Sequence, residues 1–147
     1  MERTLVLIKP DGVCRGLIGE IISRIEHKGL KIIGIKMLKL SIEKAEVLYY
    51  IHHNKPFFKD LINHITSGPV VAVAVEGKNA IIAIRNIIGA TFSYNASPGT
   101  IRGDYGLDIT MNIVHASDSV ESAEREMKLF FDDNELLVYE RGYERWI

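Results

Sequence analysis

Residues 69 to 75, PVVAVAV, form a nearly continuous run of valine and alanine. A strand with one wet face alternates apolar with polar residues, so a run without polar positions reads as a strand buried on both faces. The residues on either side fit a mixed fold around it. Downstream, Asn79 to Ile88 reads as a helix stopped by Gly89. Upstream, Phe58 to Ile65 reads as a helix, and Ser41 with Lys44 to Tyr50 opens another helical stretch that breaks before Pro56. Lys31 to Leu40 has strand character. Before it, Leu17, Ile18, Ile21, Ile22 and Ile25 recur at helical spacing, with His27 and Lys28 in the last turn, where cations suit the helix dipole. Thr4 to Ile8 is a β-rich run closed by Lys-Pro-Asp-Gly; Pro10 forces Lys9 out of the helical region and Asp11-Gly12 supplies turn chemistry.

Residues 90 to 111, ATFSYNASPGTIRGDYGLDITM, lack periodicity and are rich in Gly, Ser, Asn and Asp, as expected of a long functional loop. Asn112 to His115 returns as a strand, and Asp118 with Glu121 forms a capping-box spacing before a helix carrying Ala123, Met127 and Phe130. The tail from Leu136 to Ile147 is aromatic and charged, suited to packing on the surface or on a neighbouring subunit. The order contains two β-α-β units. The expected fold is therefore α+β, a ferredoxin-like (split βαβ) sandwich with an antiparallel sheet, helices on one face and a long functional loop, spanning residues 1–147 as one domain. A flavodoxin-like sheet is the competitor.

Bulk composition narrows the function. With 147 residues, 47% hydrophobic and 25% charged, the chain can bury a sizeable core. Eighteen Lys and Arg against nineteen Asp and Glu leave no overall basic field for nucleic acid or an anionic membrane, so any anion site must be local. No apolar segment approaches the roughly 20 residues of a membrane span, and the start MERTLVLIKPDG holds too short an apolar run for a secretory core. The single cysteine, Cys14, allows neither an internal disulfide nor a thiolate cage, and a cytoplasmic location is expected.

The stretch NIVHASDS, 112 to 119, sets His115 where a strand yields to a helix start, a place that favours anions. A histidine there is ordinarily a core or cap residue, and Ser117 and Asp118 are ordinarily caps. Glu126, two turns into the following helix, can look back toward the strand end and orient an imidazole. Lys9 closes the first strand, Arg85 is the only charge in IIAIRNIIG, and Arg102 lies in SPGTIRGDYG between glycines. Three such cations in one cleft would suit a triphosphate held with magnesium. No P-loop, G-x-G-x-x-G, H-E-x-x-H or G-x-S-x-G pattern occurs, and His52, His53 and His64 read as surface residues. A histidine nucleophile or base acting on an anionic substrate is the chemistry that remains.

TLVLIKPDGVCRGLIGEII near the start, PFF at 56 to 58, SGPVVAVAVEG at 67 to 77, PGTIRGD at 98 to 104 and NIVHASDS together resemble the nucleoside diphosphate kinases along nearly the whole chain. The resemblance implies a ping-pong reaction in which His115 takes the γ-phosphoryl group of a nucleoside triphosphate and passes it to a nucleoside diphosphate, with broad base use. By position, Lys9 resembles the lysine that touches the ribose hydroxyl and the terminal phosphate, while Arg85, Thr91 and Arg102 resemble the phosphate-binding set and Asn112 the asparagine at the sugar. Tyr49 resembles the tyrosine near the nucleophile, Phe57 the aromatic on which the base stacks, and Ser117 and Glu126 the pair that positions the histidine. Magnesium is implied as a partner held by the nucleotide phosphates with no direct protein ligand, and a homo-oligomer, hexamer or tetramer, is implied as the assembly. Phe92-Ser93 stands where the family usually has Asn-Pro or Asp-Pro, Ala116 replaces a frequent glycine, and Thr110-Met111 replaces Gly-Arg. The missing proline removes a φ restraint from a loop that takes part in the family's subunit contacts. The rival reading is a non-catalytic nucleotide-binding regulatory module; an RNA-binding version lacks the strand aromatics that stack bases.

Overall fold

A computed structural model describes all residues, Met1–Ile147. Four strands, β1 (Glu2–Ile8), β2 (Lys31–Lys39), β3 (Pro69–Gly77) and β4 (Val114–Ala116), form one sheet in the order β2-β3-β1-β4. Every neighbouring pair is antiparallel. It follows that β1 and β2 run parallel with β3 between them, and β3 and β4 run parallel with β1 between them. Each β-α-β unit straddles a strand of the other, which is the split βαβ arrangement expected.

The seven α-helices are α1 (Pro10–Cys14), α2 (Ile18–His27), α3 (Ile42–Leu48), α4 (Phe58–Ile65), α5 (Ala80–Ile88), α6 (Ile101–Tyr105) and α7 (Val120–Phe130). They do not keep to one face, as the sequence reading had them; each face of the sheet carries its own core of 15 buried residues. Leu5, Leu7, Ala72 and Ala74 point to one side, against Leu48 of α3, Ile65 of α4 and Phe130 of α7. Val6, Ile8, Val71 and Val73 point to the other, against Ile21 and Ile25 of α2 and Ile84 and Ile88 of α5. The valine-alanine run demanded this, since a strand with two apolar faces must be covered twice. Burying about 25 side chains larger than alanine at roughly 1.5–3 kcal/mol each supplies the main drive to fold.

Smaller departures have local causes. Lys-Pro-Asp-Gly opens a helix rather than a plain turn, because Pro at the first helical position needs no N–H partner; Lys9 before it is extended (φ −75°, ψ 166°). The Asp118–Glu121 box does not form: Ser119 caps α7, its Oγ accepting from the Ser122 amide at 3.1 Å. The long loop is built rather than loose. It holds α6, capped by Thr100, whose Oγ1 accepts from the Gly103 amide at 3.0 Å, and Asp104 pairs with Arg24 of α2 at 2.8 Å.

The tail lies along the start of β2. Leu137 N–H donates to Ile33 O at 2.9 Å, Lys31 Nζ donates to Tyr139 O at 2.6 Å, and Arg141 donates to Gly29 O at 3.1 Å. It crosses β2 at Gly34, beside a shift in the β2–β3 register. A Cβ there would lie 3.0 Å from Glu135 O and 3.1 Å from the Phe131 ring. We predict that Gly34→Ala lowers stability by roughly 1–3 kcal/mol through overpacking, measured as a lower urea midpoint at unchanged m; a midpoint equal to wild type would mean that the tail yields freely.

Candidate active site

The site grows from the end of β1. Past Ile8 the chain carries Lys9, whose backbone N–H donates to Ile113 O at 2.8 Å and whose Nζ donates to Thr110 O at 2.6 Å and Asn112 Oδ1 at 2.9 Å. Lys9 is 3% exposed. Burial pulls its pKa down to about 8, with the Asp11 carboxylate opposing and the Arg102 guanidinium adding to the shift. Ile113 has φ +78°, a left-handed conformation that costs a β-branched residue on the order of 1–3 kcal/mol. Its N–H donates to Asp11 Oδ2 at 2.9 Å.

Strand alternation then aims the histidine. Val114 and Ala116 of β4 are buried in the α2–α5 core, so His115 between them turns to the opposite face, beside α7. There its Nε2 lies 2.5 Å from Glu126 Oε1, and Ser117 Oγ donates to the same oxygen at 3.2 Å. Glu126 is 3% exposed, so it is no solvated helix glutamate. An ionised carboxylate accepts only, so Nε2 carries the proton and Nδ1 keeps its lone pair. The buried Tyr49 ring meets the imidazole edge-on, 5.6 Å between centroids at 87°, and burial, with the Glu126 charge, raises its phenol pKa, keeping it protonated.

Arg102, 4% exposed, donates from three nitrogens to three backbone carbonyls: Asn112 O at 3.2 Å, Gly89 O at 3.2 Å and Val114 O at 2.6 Å. Of its five N–H groups, two remain free for a ligand. Burial and the neighbouring Arg85 lower its pKa to about 10, still cationic at neutral pH. Asn112 is fixed at both ends of its amide, by Lys9 and by Thr91 O at 3.1 Å.

Nine of the ten residues singled out from the sequence, Lys9, Tyr49, Phe57, Arg85, Thr91, Arg102, Asn112, His115 and Glu126, line one cleft of about 440 Å³. Ser117 lies behind it, 1% exposed. One end is cationic; the mouth is apolar, with Phe57 and Ile109 half exposed. That polarity fits a ligand with a polyanionic tail and a flat apolar head. No group of three or more His, Cys, Asp and Glu side chains is arranged to hold a metal ion.

Sequence reasoning missed several neighbours. His52 is not a mere surface residue: it lines the cleft with its ring 5.4 Å from Phe57, and burial, Lys55 and His115 lower its pKa. Its spacing of three from Tyr49 was the available signal. His64 is mostly buried, its Nε2 2.9 Å from Asp11 Oδ1. Nothing local marked it, because α4 and α1 meet only in the folded chain.

Against known proteins, a family model described as nucleoside diphosphate kinase matches residues 2–136. A nucleoside diphosphate kinase of Archaeoglobus fulgidus is 59% identical over 147 residues, covering 100% of this chain and 97% of that protein. One of Hyperthermus butylicus is 61% identical over 137 residues, covering 93% of this chain and 96% of its own. Among solved structures, a halophilic nucleoside diphosphate kinase from Halobacterium salinarum in complex with CDP superposes with a TM-score of 0.96 at 50% identity, covering 99% of this chain and 97% of that one. With a family model across almost its whole length and relatives this similar from end to end, the chain belongs to the nucleoside diphosphate kinase family.

Proposed function

We propose that His115 Nδ1 is the nucleophile through which this nucleoside diphosphate kinase moves the γ-phosphoryl group of a nucleoside triphosphate to a nucleoside diphosphate. The observation that carries the assignment is the Nε2 contact to Glu126 at 2.5 Å, which leaves Nδ1 as the nitrogen with a lone pair beside a cationic cleft. The Nδ1 lone pair attacks the γ-phosphorus, the bond to the β,γ-bridging oxygen breaks, and the diphosphate leaves with that electron pair. The ring becomes cationic and Glu126 stabilises it. An oxygen of the incoming diphosphate's terminal phosphate then attacks the phosphorus, and the P–N bond returns its electrons to Nδ1. No proton has to be moved. Donor and acceptor bonds are nearly equal in energy, so the intermediate must itself be a high-energy phosphoryl compound, which a phosphoimidazole is and a phosphoserine is not. A covalent intermediate also lets one cleft serve both nucleotides in turn.

In this reading Lys9, Arg85, Thr91 and the two free N–H groups of Arg102 hold the phosphates, and Asn112 keeps one donor and one lone pair for the sugar. The nucleotide enters as its magnesium complex. Magnesium, if bound, would be carried by the phosphates and would neutralise part of their charge. Phe57 stacks the base. The exposed apolar residues Ile35 and Met37 on the edge strand β2 support a homo-oligomer, hexamer or tetramer. A cytoplasmic location fits the soluble nucleotide substrates and the free, exposed Cys14.

Three outcomes are expected. With γ-labelled ATP and magnesium, the protein takes up phosphate that is lost in acid, survives base and is discharged by any nucleoside diphosphate, while His115→Ala takes up none; tight ATP binding without label would instead establish a nucleotide-binding regulatory module. In matched assays, kcat/KM for the common nucleoside diphosphates stays within about tenfold, because a stacked base offers its π-face and no buried polar partner sorts it; a preference of several hundredfold would refute this. Finally, kcat/KM falls above about pH 8 as Lys9 loses its proton in the free enzyme. Bound phosphates keep the ammonium charged, so kcat falls at higher pH. Lys9→Gln should remove that inflection from a lower baseline, and an unchanged inflection would assign it elsewhere.

A further inference from the structure

Outside the groups assigned to the reaction, the molecule contains one largely but not fully buried ionisable pair joined to the site: Asp11 in α1 and His64 near the end of α4. Asp11 Oδ2 accepts the N–H of the left-handed Ile113 at 2.9 Å, and Oδ1 faces His64 Nε2 at 2.9 Å. We infer that Asp11 and His64 are positioning residues for phosphoryl transfer, a two-sided clamp that fixes Ile113 and through it the Asn112 and His115 on either side. The inference rests on His115 being the nucleophile.

Four observations converge. Ile113 alone stands between Asn112 and the first residue of β4, so any change in its φ swings the nucleophile's strand relative to the sugar-side asparagine. Its carbonyl is held from the other side by the Lys9 N–H at 2.8 Å, so both polar groups of this one peptide residue are tied to the Lys9–Asp11 segment. Gly12 lets α1 come this close, since a Cβ there would lie 3.1 Å from Ile113 O and 2.9 Å from Ile8 Cγ2. His64 belongs to the helix that follows Phe57, so the clamp also ties the base-binding wall to the phosphoryl end. Although burial acts to raise it, the Asp11 pKa is held below the usual carboxylate range by the His64 hydrogen bond and charge, Lys9 and the Ile113 amide. Ionised, it accepts on both oxygens, which is what two converging N–H donors require.

The chemistry selects the variants. Asp11→Asn keeps the shape but loses the charge and one accepting oxygen: with its oxygen on the Ile113 N–H its NH2 meets His64 Nε2, which accepts it only by switching tautomer and can no longer be held as a cation. His64→Ala removes only the outer donor, and His64→Gln replaces it with an amide N–H. Phosphorylation by γ-labelled ATP under rapid mixing reads two quantities separately: the amplitude, which counts competent sites, and the rate constant per site. We expect about a 10- to 100-fold lower rate constant for Asp11→Asn and several-fold lower for His64→Ala, at full amplitude. His64→Gln should recover most of what His64→Ala loses. If the variants lose amplitude or melt earlier while the rate constant per labelled site stays at the wild-type value, the pair is only a structural tie and the inference is wrong. Should Asp11→Asn fail to fold, the Ala and Gln variants at His64 decide alone. Absence of label from the wild type would instead remove the His115 assignment beneath it.

Discussion

The active site depends on a short antiparallel pairing, in which Val6, Leu7 and Ile8 of β1 face Ala116, His115 and Val114 of β4. That register decides which way the histidine points, because a slip by one residue would send His115 into the α2–α5 core and Val114 toward Glu126. It also decides what lies beyond the strand end, setting Lys9 beside Asn112. Three residues of ladder are too few to hold such a register alone. The pairing is extended by the Ser117 amide on Leu5 O at 3.2 Å and the Lys9 amide on Ile113 O at 2.8 Å. Arg102 clamps the outer side of β4 through Val114 O and Asn112 O. A residue that reads as a phosphate ligand is thus equally a brace for the nucleophile's strand.

The two cores give this arrangement its tolerance for strain. Keeping the buried Lys9 ammonium charged at neutral pH costs on the order of 3 kcal/mol, judged from the fall of its pKa to about 8. Ile113 in the left-handed region adds a comparable amount. Together these are a large part of an ordinary domain's net stability. They persist because Val6, Ile8, Ile113 and Val114 are fully buried and cannot move without opening the core around them. For the same reason Ile113, with no glycine's freedom, still sits at φ +78°: its side chain fills the α2–α5 core.

What could be read from the sequence follows from what is local. The valine-alanine run, the helical isoleucine spacing and the order of strands and helices along the chain rest on short-range patterns, and the structure bears them out within a few residues. The candidate residues were legible because their motifs stand in the resemblance, and nine of them do line one cleft. Helix placement was not legible as a direction, although the doubly apolar β3 already required two layers. Helix α6 hid inside a glycine-rich stretch because its single turn is too short to show a period; a local cap at Thr100 starts it and a tertiary contact, the Asp104–Arg24 pair, holds it. Asp118 lost the cap to Ser119 by one position, a choice set by where β4 ends rather than by propensity. His64 and Asp11 lie 53 residues apart, and no spacing rule joins an α4 histidine to an α1 carboxylate.

Electrostatics explains why this cleft suits a polyphosphate. Arg85 depresses the pKa of Arg102, and Arg102 depresses that of Lys9, so the cations at this end repel one another. Lys9 and Arg102 are nonetheless held by fixed backbone and amide oxygens, Lys9 by Thr110 O and Asn112 Oδ1 and Arg102 by three carbonyls, while Arg85 has one long bond to Ala116 O at 3.4 Å. A phosphate chain entering here relieves that repulsion without requiring the side chains to reorganise, which is the condition under which fixed charges are most effective. The field is the same whichever nucleotide arrives, because nothing in the cationic end senses the base. In the proposed cycle, what distinguishes donor from acceptor is only whether His115 already carries a phosphoryl group, a property of the nucleophile rather than of the binding site.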